Sequence, residues 1–248
     1  MSPKIVAIIP ARWESSRFPG KPLALLAGLP MIQHVYQRAQ LIPNVASIHV
    51  ATDDERIFQV VANFGGHALM TSPKLPSGSD RLAEAATLLD LAKDDIVINV
   101  QGDQPCLNPE HPKLLAEALL AGSAPVATLA IPFADPQEIA NPNHVKTVFD
   151  QNGRALYFSR SPIPFYRDSP GEYYKHIGLY AYQVDFLRQY VAWEPSRLEL
   201  AEKLEQLRIL ERGLAIQIVL GEGLSPEVDT PEDLLIAEAA LAKLTQKA

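Results

Sequence analysis

Apolar residues recur along the chain in two rhythms that alternate from the start. Residues 4–10, KIVAIIP, form a short apolar run closed by a proline, which suits a buried strand. From Pro30 the rhythm changes. Met31, Val35, Tyr36 and Ala39 share one face of a helix, and a proline is a natural opening residue for it. Residues 47–52 alternate around Ile48 and Val50 as a strand does, and 53–64 read as a helix stopped by Gly65 and Gly66. A short strand over 67–70 follows, then a loop feeding a helix over 77–92. A β-branched strand over 96–100, broken only by Asn99, a helix over 109–121 and a strand over 126–131 complete the first half. Near the C-terminus the pattern predicts a helix over 197–212, a strand over 216–220 and a last helix from Pro231.

Strands alternating with helices predict an α/β domain of three layers around a mostly parallel sheet. Ligands of such sheets bind beyond the carboxyl ends of the strands, so chemistry is expected just after Pro10, Thr52 and Val100. From about 132 to 195 prolines and aromatics crowd together, among them Pro142, Phe149, Tyr157, Phe165, Tyr174 and Tyr182. This stretch reads as an inserted, partly β lobe within a single domain spanning 1–248. No internal repeat or low-complexity segment interrupts it.

Composition narrows the class. The chain has 248 residues, 47% hydrophobic and 21% charged, enough to bury a full core without staples. Lys and Arg number 22 against 29 Asp and Glu, a net charge of −7. That balance argues against a broad nucleic-acid or anionic-membrane surface but leaves room for a local basic site. The single cysteine, Cys106, can build neither an intrachain disulfide nor a multi-cysteine zinc site. No apolar run is long enough to span a membrane, and the first residues lack the pattern of a secretory signal. A cytoplasmic location is therefore expected.

Three segments carry candidate chemistry. After the first strand, residues 10–22 (PARWESSRFPGKP) place Arg12, Arg17 and Lys21 in one loop with small residues between them. Small residues let backbone approach a phosphate chain, and three cations balance its charge. The spacing is not that of a Walker loop. In residues 100–105, VQGDQP, Asp103 follows a buried strand, where a carboxylate either caps a turn or holds Mg²⁺ bridging to phosphates. In 227–233, EVDTPED, Thr230 and Pro231 explain a helix start but not Asp229, which is left as a second metal ligand. Residues 77–81, SGSDR, suit a helix start as well as a loop over a nucleotide. His176 stands out inside the aromatic stretch. Cys106 reads as a packed residue. No HExxH, GxSxG or GxGxxG pattern occurs.

Taken together, these segments resemble the 3-deoxy-manno-octulosonate (Kdo) cytidylyltransferases, the CMP-Kdo synthetases. The resemblance runs almost end to end, through IIPARWESSRFPGKPL, PMIQHVYQRA, VATDDERI, SGSDRLAE, NVQGDQP, ATLAIP, NPNHVKTVFD, ALYFSRSPIPF, KHIGLYAY, EKLEQLRILE and VDTPEDL. It implies a three-layer nucleotidyltransferase domain, a homodimer, Mg²⁺ dependence, and the reaction CTP + Kdo → CMP-Kdo + diphosphate in lipopolysaccharide synthesis. The Tyr and Phe content of the inserted lobe separately leads us to expect both sugar contacts and dimer surface from it. By motif, Arg12, Arg17 and Lys21 would contact the triphosphate, with Ala11, Ser77 and Arg81 as further nucleotide-site candidates. Asp103 and Asp229 would hold the metal. Gln101, Arg160, Arg167, His176, Tyr180, Glu205 and Gln206 would surround the sugar acid.

This chain departs from the commoner pattern at Gln104, where Glu is usual, at Ser79-Asp80 in place of Thr-Glu, and over 224–227, which is less glycine-rich. Those departures leave open the 8-amino analogue of Kdo as the acceptor. A non-catalytic nucleotide sensor is the rival from another class; simple nucleotide binding does not require both Asp103 and Asp229.

Overall fold

The computed structural model describes residues 2–14, 18–122, 124–168, 171–223 and 225–245. In chain order the elements are β1 (Ile5–Ala11), a hairpin of β2 (Leu25–Leu26) and β3 (Leu29–Pro30), α1 (Met31–Ala39), β4 (Ser47–Thr52), α2 (Glu55–Asn63), β5 (Ala68–Met70) and α3 (Gly78–Leu88). They continue with β6 (Ile96–Asn99), α4 (Glu110–Leu120), β7 (Val126–Pro132), β8 (Lys146–Phe149), β9 (Ala155–Ser159) and β10 (Tyr174–Gln183). The last are α5 (Val184–Val191), α6 (Arg197–Glu202), α7 (Leu207–Glu211), β11 (Gln217–Leu220) and α8 (Asp233–Thr245).

The main sheet runs β11-β7-β10-β6-β1-β4-β5. On this path β10 alone is antiparallel to its neighbours. Strand β1 shows why the sheet needs two covers. Val6 and Ile8 enter a core with α3, α5 and α7, while Ile5, Ala7 and Ile9 enter another with α1, α2 and α4. Successive side chains of a strand point to opposite faces, so an unbroken apolar run fills both. Each Val, Leu or Ile fully buried this way contributes about 1.5–3 kcal/mol. Helix starts follow local capping: the Asp54 carboxylate accepts from the Arg56 N–H, and the Ser77 hydroxyl from the Asp80 N–H.

The helix expected over 197–212 is two short helices. Lys203 ends α6 in the left-handed region, at φ 55°. The apolar positions there keep helical spacing, but the chain turns at Lys203, and Arg160 donates to the carbonyls at that turn. Its Nε donates to the Glu202 carbonyl at 2.7 Å and its Nη2 to that of Lys203 at 3.4 Å. A left-handed non-glycine residue costs roughly 1–2 kcal/mol, which these bonds offset.

The stretch expected as a lobe over about 132–195 divides between two settings. Residues 133–173 leave the main path and carry the β8–β9 hairpin, which joins the start of β10 through Lys146↔Lys175 and Thr147↔Tyr174. Strand β10 lies inside the sheet, and α5 packs into the core on the α3 face.

Candidate active site

Beyond the carboxyl ends of β1 and β6 lies a cavity of about 680 Å³, at the edge where an α/β sheet binds ligands. Two glycines let its floor close. A Cβ on Gly102 would stand 2.9 Å from the Pro10 carbonyl oxygen, so only glycine lets the loop after β6 lie against the end of β1. Gly20, at φ +71°, donates its N–H to the Trp13 carbonyl at 3.0 Å and packs under the indole. Trp13 in turn carries the Arg56 guanidinium 3.3 Å above its ring centroid. The loop so folded brings Lys21 to the cavity floor.

There the ammonium of Lys21 gathers three oxygens from distant parts of the chain. It donates to Asp103 Oδ2 at 2.8 Å and to the Val228 carbonyl at 3.0 Å, and lies 3.7 Å from Asp229 Oδ1. Asp229 is fixed from behind, because its N–H and that of Thr230 both donate to Asp233 Oδ2. Arg81, 2% exposed, reaches the cavity while bonded to Asp53 Oδ2 at 2.7 Å and to Thr71. Glu227 stands beside this group. Part of its side chain reaches solvent, yet enclosure of its carboxyl, and then the charge of Asp103, raises its pKa against a bond from Gln104.

The opposite wall sets two charged residues, Lys203 and Glu205, among neutral polar and aromatic side chains. The register of β10 slips between Ile177 and Tyr180, and Gln101 Nε2 closes that irregularity by donating to the Gly178 carbonyl at 2.7 Å. His176 Nε2 lies 3.0 Å from the Thr128 hydroxyl, which itself donates to the Leu179 carbonyl at 2.8 Å. A hydroxyl has one proton to give, so this assigns the imidazole proton to Nε2. Burial pushes the His176 pKa down to about 3, so the ring is neutral at physiological pH. Tyr180, Tyr182 and Tyr190 stack in series, and burial raises all three phenols well above their ordinary values. Glu205, within 3.3 Å of the Ser79 hydroxyl, has its carboxyl pKa raised by enclosure in the cavity. Two buried polar atoms of the cavity lining, Asn99 Oδ1 and Gln206 Nε2, have no hydrogen-bond partner among the described residues. Buried polar groups are nearly always paired, so these two point to a polar ligand.

Of the residues singled out in the sequence, Ala11, Arg12, Lys21, Arg81, Gln101, Asp103, His176, Tyr180, Glu205, Gln206 and Asp229 line this cavity. Ser77, Arg160 and Arg167 do not. Ser77 serves as the cap of α3. Arg160 spends its guanidinium on the carbonyls of Pro142, Glu202 and Lys203. Arg167 is exposed. Arg17 lies outside the described residues. Sequence reasoning missed Ser79, Asn99, Tyr182 and Tyr190. Asn99 had a signal, the one polar break in a β-branched strand; Tyr182 had one in the crowding of aromatics over 132–195, within which Tyr190 also falls.

Among the described residues no group of three or more His, Cys, Asp or Glu side chains is arranged to hold a metal ion. Two carboxylates converging on one cation still suit magnesium, which takes one or two carboxylates and completes its shell with phosphate and water oxygens.

A family model described as Cytidylyltransferase matches residues 6–217. An 8-amino-3,8-dideoxy-manno-octulosonate cytidylyltransferase of Shewanella halifaxensis is 51% identical over 96% of this chain and 98% of its own length. A 3-deoxy-manno-octulosonate cytidylyltransferase of Syntrophus aciditrophicus is 53% identical over 93% of this chain and 94% of its own. A solved structure of CMP:2-keto-3-deoxy-manno-octonic acid synthetase complexed with CTP is 44% identical, with a TM-score of 0.92 over 97% of this chain and 99% of that one. A 4-diphosphocytidyl-2C-methyl-D-erythritol synthase, 16% identical at a TM-score of 0.67, shares the fold.

Proposed function

The chain belongs to the cytidylyltransferase family of the CMP-Kdo synthetases, and we propose that it transfers CMP from CTP to the anomeric hydroxyl of Kdo. The observation that carries this reading is the meeting of Lys21, Asp103 and Asp229 on the floor of a cavity whose far wall carries neutral polar and aromatic side chains beside Lys203 and Glu205. In the reaction the sugar hydroxyl oxygen bonds to the α-phosphorus, the bond from that phosphorus to the bridging oxygen breaks, and diphosphate leaves in line. The hydroxyl proton passes to solvent. Such a step needs positioning and charge neutralisation more than covalent catalysis by the protein.

Arg12 and Lys21 receive the triphosphate, with Arg81 and the Ala11 backbone bordering the nucleotide. Asp103 and Asp229 would hold Mg²⁺, which supplies a Lewis acid for phosphate charge and lowers the pKa of a bound hydroxyl. Lys21, tied to both carboxylates in the free protein, turns to the phosphates once that charge is balanced. Gln101, His176, Tyr180 and Gln206 orient the sugar acid, and the stacked tyrosines exclude water behind it. As His176 is neutral, it holds a hydroxyl in place and does not neutralise the sugar's carboxylate.

A second reading, the 8-amino analogue of Kdo as acceptor, is favoured by the Glu205 carboxyl, which offers an ammonium group a partner in the cavity. Leu156 and Phe165, 62% and 88% exposed, lie in the 133–173 segment and support a homodimer through it. No helix among the described residues is long and apolar enough to cross a membrane. We read the reaction as a cytoplasmic one.

The test is diphosphate release from each nucleoside triphosphate with Kdo, 8-amino-Kdo or sialic acid, with and without Mg²⁺. Release that requires CTP, an octulosonate and Mg²⁺ together is expected. Release from CTP without any acceptor, or none with either octulosonate, would overturn the reading.

A further inference from the structure

Directly behind the two carboxylates lies a pair of side chains that do not line the cavity. Gln104, the residue after Asp103, is 3% exposed, and its Nε2 donates to Glu227 Oε1 at 2.9 Å. Glu227 precedes Val228, whose N–H donates to the Asp103 carbonyl at 2.9 Å and whose own carbonyl accepts from Lys21 Nζ. Among the described residues the segments bearing Asp103 and Asp229 are thus joined by the Gln104–Glu227 side chains, by a backbone hydrogen bond and by the Lys21 ammonium.

These ties are not equivalent during turnover. Lys21 is the one that must turn to the nucleotide phosphates under the function proposed above, on which this inference rests. Its hold on both carboxylates then lapses. Val228 is packed against Leu26, Met31 and Ala237, and Asp229 is held by Asp233, so the 228–229 segment is in place. The backbone bond from Val228 joins the Asp103 segment to it at one point and leaves rotation about that bond. A second contact one residue to the side on each segment removes that freedom. Gln104 and Glu227 occupy those two flanking positions. The chemistry of the pair is also selective. An amide opposite a carboxylate supplies donor to acceptor, whereas a second carboxylate at 104 would set two acceptors against each other at the same separation, close to Asp103.

We propose that Gln104 and Glu227 are positioning residues, a latch that keeps Asp103 and Asp229 at a fixed separation while Lys21 is engaged with the nucleotide.

The test compares Gln104→Glu, Glu227→Gln and the reversed pair Gln104→Glu/Glu227→Gln, which restores an amide opposite a carboxylate. Loss of a group that orients a metal ligand typically costs about 10–100-fold. Gln104→Glu is therefore expected to lower kcat by about tenfold or more, with both KM values within about twofold, and to raise the Mg²⁺ concentration giving half-maximal rate. Glu227→Gln keeps a donor and an acceptor in contact and is expected to lose less. The reversed pair should recover to within about threefold of the unaltered protein. A second readout needs neither substrate nor metal: thermal unfolding in EDTA, where Gln104→Glu should lower Tm and the reversed pair restore it. If Gln104→Glu does not fold, Glu227→Ala, at an exposed position, tests the same bond and should lower kcat with KM values kept. A reversed pair as impaired as the product of the two single losses would overturn the proposal, as would unchanged kcat in Glu227→Ala. Unfolding in EDTA separates the outcomes: restored Tm in a chain that makes no CMP-sugar faults the function, not the latch.

Discussion

On the floor of the cavity, an ammonium and two carboxylates from loops at 21, 103 and 229 converge within 3.7 Å. On the far wall, β10, α5 and residues 203–206 present a neutral imidazole, three stacked phenols and the unpaired Gln206 amide nitrogen, with the charged side chains of Lys203 and Glu205 beside them. The contrast follows from the cargo each side is proposed to meet. A triphosphate carries concentrated charge, so formal charges on strand-end loops can answer it and stay partly solvated. A sugar presents many hydroxyls, which are sorted by donors and acceptors held in fixed directions, and a buried aromatic backing holds them better than solvated loops do.

The largest effect should come from the carboxylates of the charged floor. Asp229→Asn and Asp103→Asn each keep the shape and remove a negative ligand. Loss of one preorganised electrostatic contact typically costs about 10²–10³ in rate, so kcat should fall by that order while CTP still binds. Groups that act as a unit are not additive, so the double variant should be scarcely worse than the worse single one. Stopped assays at saturating Mg²⁺, with circular dichroism to confirm folding, check this; strictly multiplicative losses would place the two carboxylates at separate tasks.

Next in size is Lys21→Ala, expected to lower kcat/KM for CTP by about 10²-fold, the loss of a charge-assisted contact of roughly 1.5–3 kcal/mol. A response to CTP equal to that of the unaltered protein would remove this loop from the nucleotide site. On the far wall, Glu205→Gln removes a charge but keeps the shape, and should cost about tenfold or less in kcat/KM for the sugar acid. If the 8-amino analogue is the acceptor, the loss should be larger for it than for Kdo.

A smaller effect is readable in pH. Burial lowers the folded pKa of His176 from its ordinary 6.5 to about 3. Between those values the unfolded chain binds a proton that the folded chain does not, so stability falls as pH falls from 6.5 toward 3. Melting temperatures of His176→Asn should depend less on pH across that window than those of the unaltered protein; identical slopes would mean that the ring is protonated when folded. The smallest effect is at Cys106, buried, with its thiol pKa pushed up to about 11. Iodoacetamide at neutral pH should leave activity untouched, since thiolate is the reactive form.

The same division governs what the sequence could tell. Strand β4 falls where its alternation puts it, over 47–52, because both neighbours are parallel strands packed under helices. The charged floor was readable because each of its groups sits beside a strand end or helix cap that local pattern locates. The far wall was less so. Whether β10 would enter the sheet, and against its neighbours, depends on pairings with β6 and β7 that no local rhythm encodes. The carbonyl at the break, that of Lys203, is met by Arg160, more than forty residues earlier in the chain, a pairing no local pattern reveals. That engagement also takes Arg160 away from the cavity, where motif alone had placed it beside the sugar. Lys146 is fully buried, its ammonium donating to the carbonyls of Asn141 and Arg160, and nothing in its local sequence distinguishes it from a solvated lysine.

The central claim is that the two walls handle different substrates, and crossed steady-state kinetics test it most directly. KM for the sugar acid would be measured in Lys21→Ala, and KM for CTP in Glu205→Gln, with the other substrate saturating. The account predicts that each crossed KM stays within about twofold of the unaltered protein, because distant sites without shared partners behave nearly additively. A large rise in the sugar KM of Lys21→Ala, matched by a large rise in the CTP KM of Glu205→Gln, would contradict it.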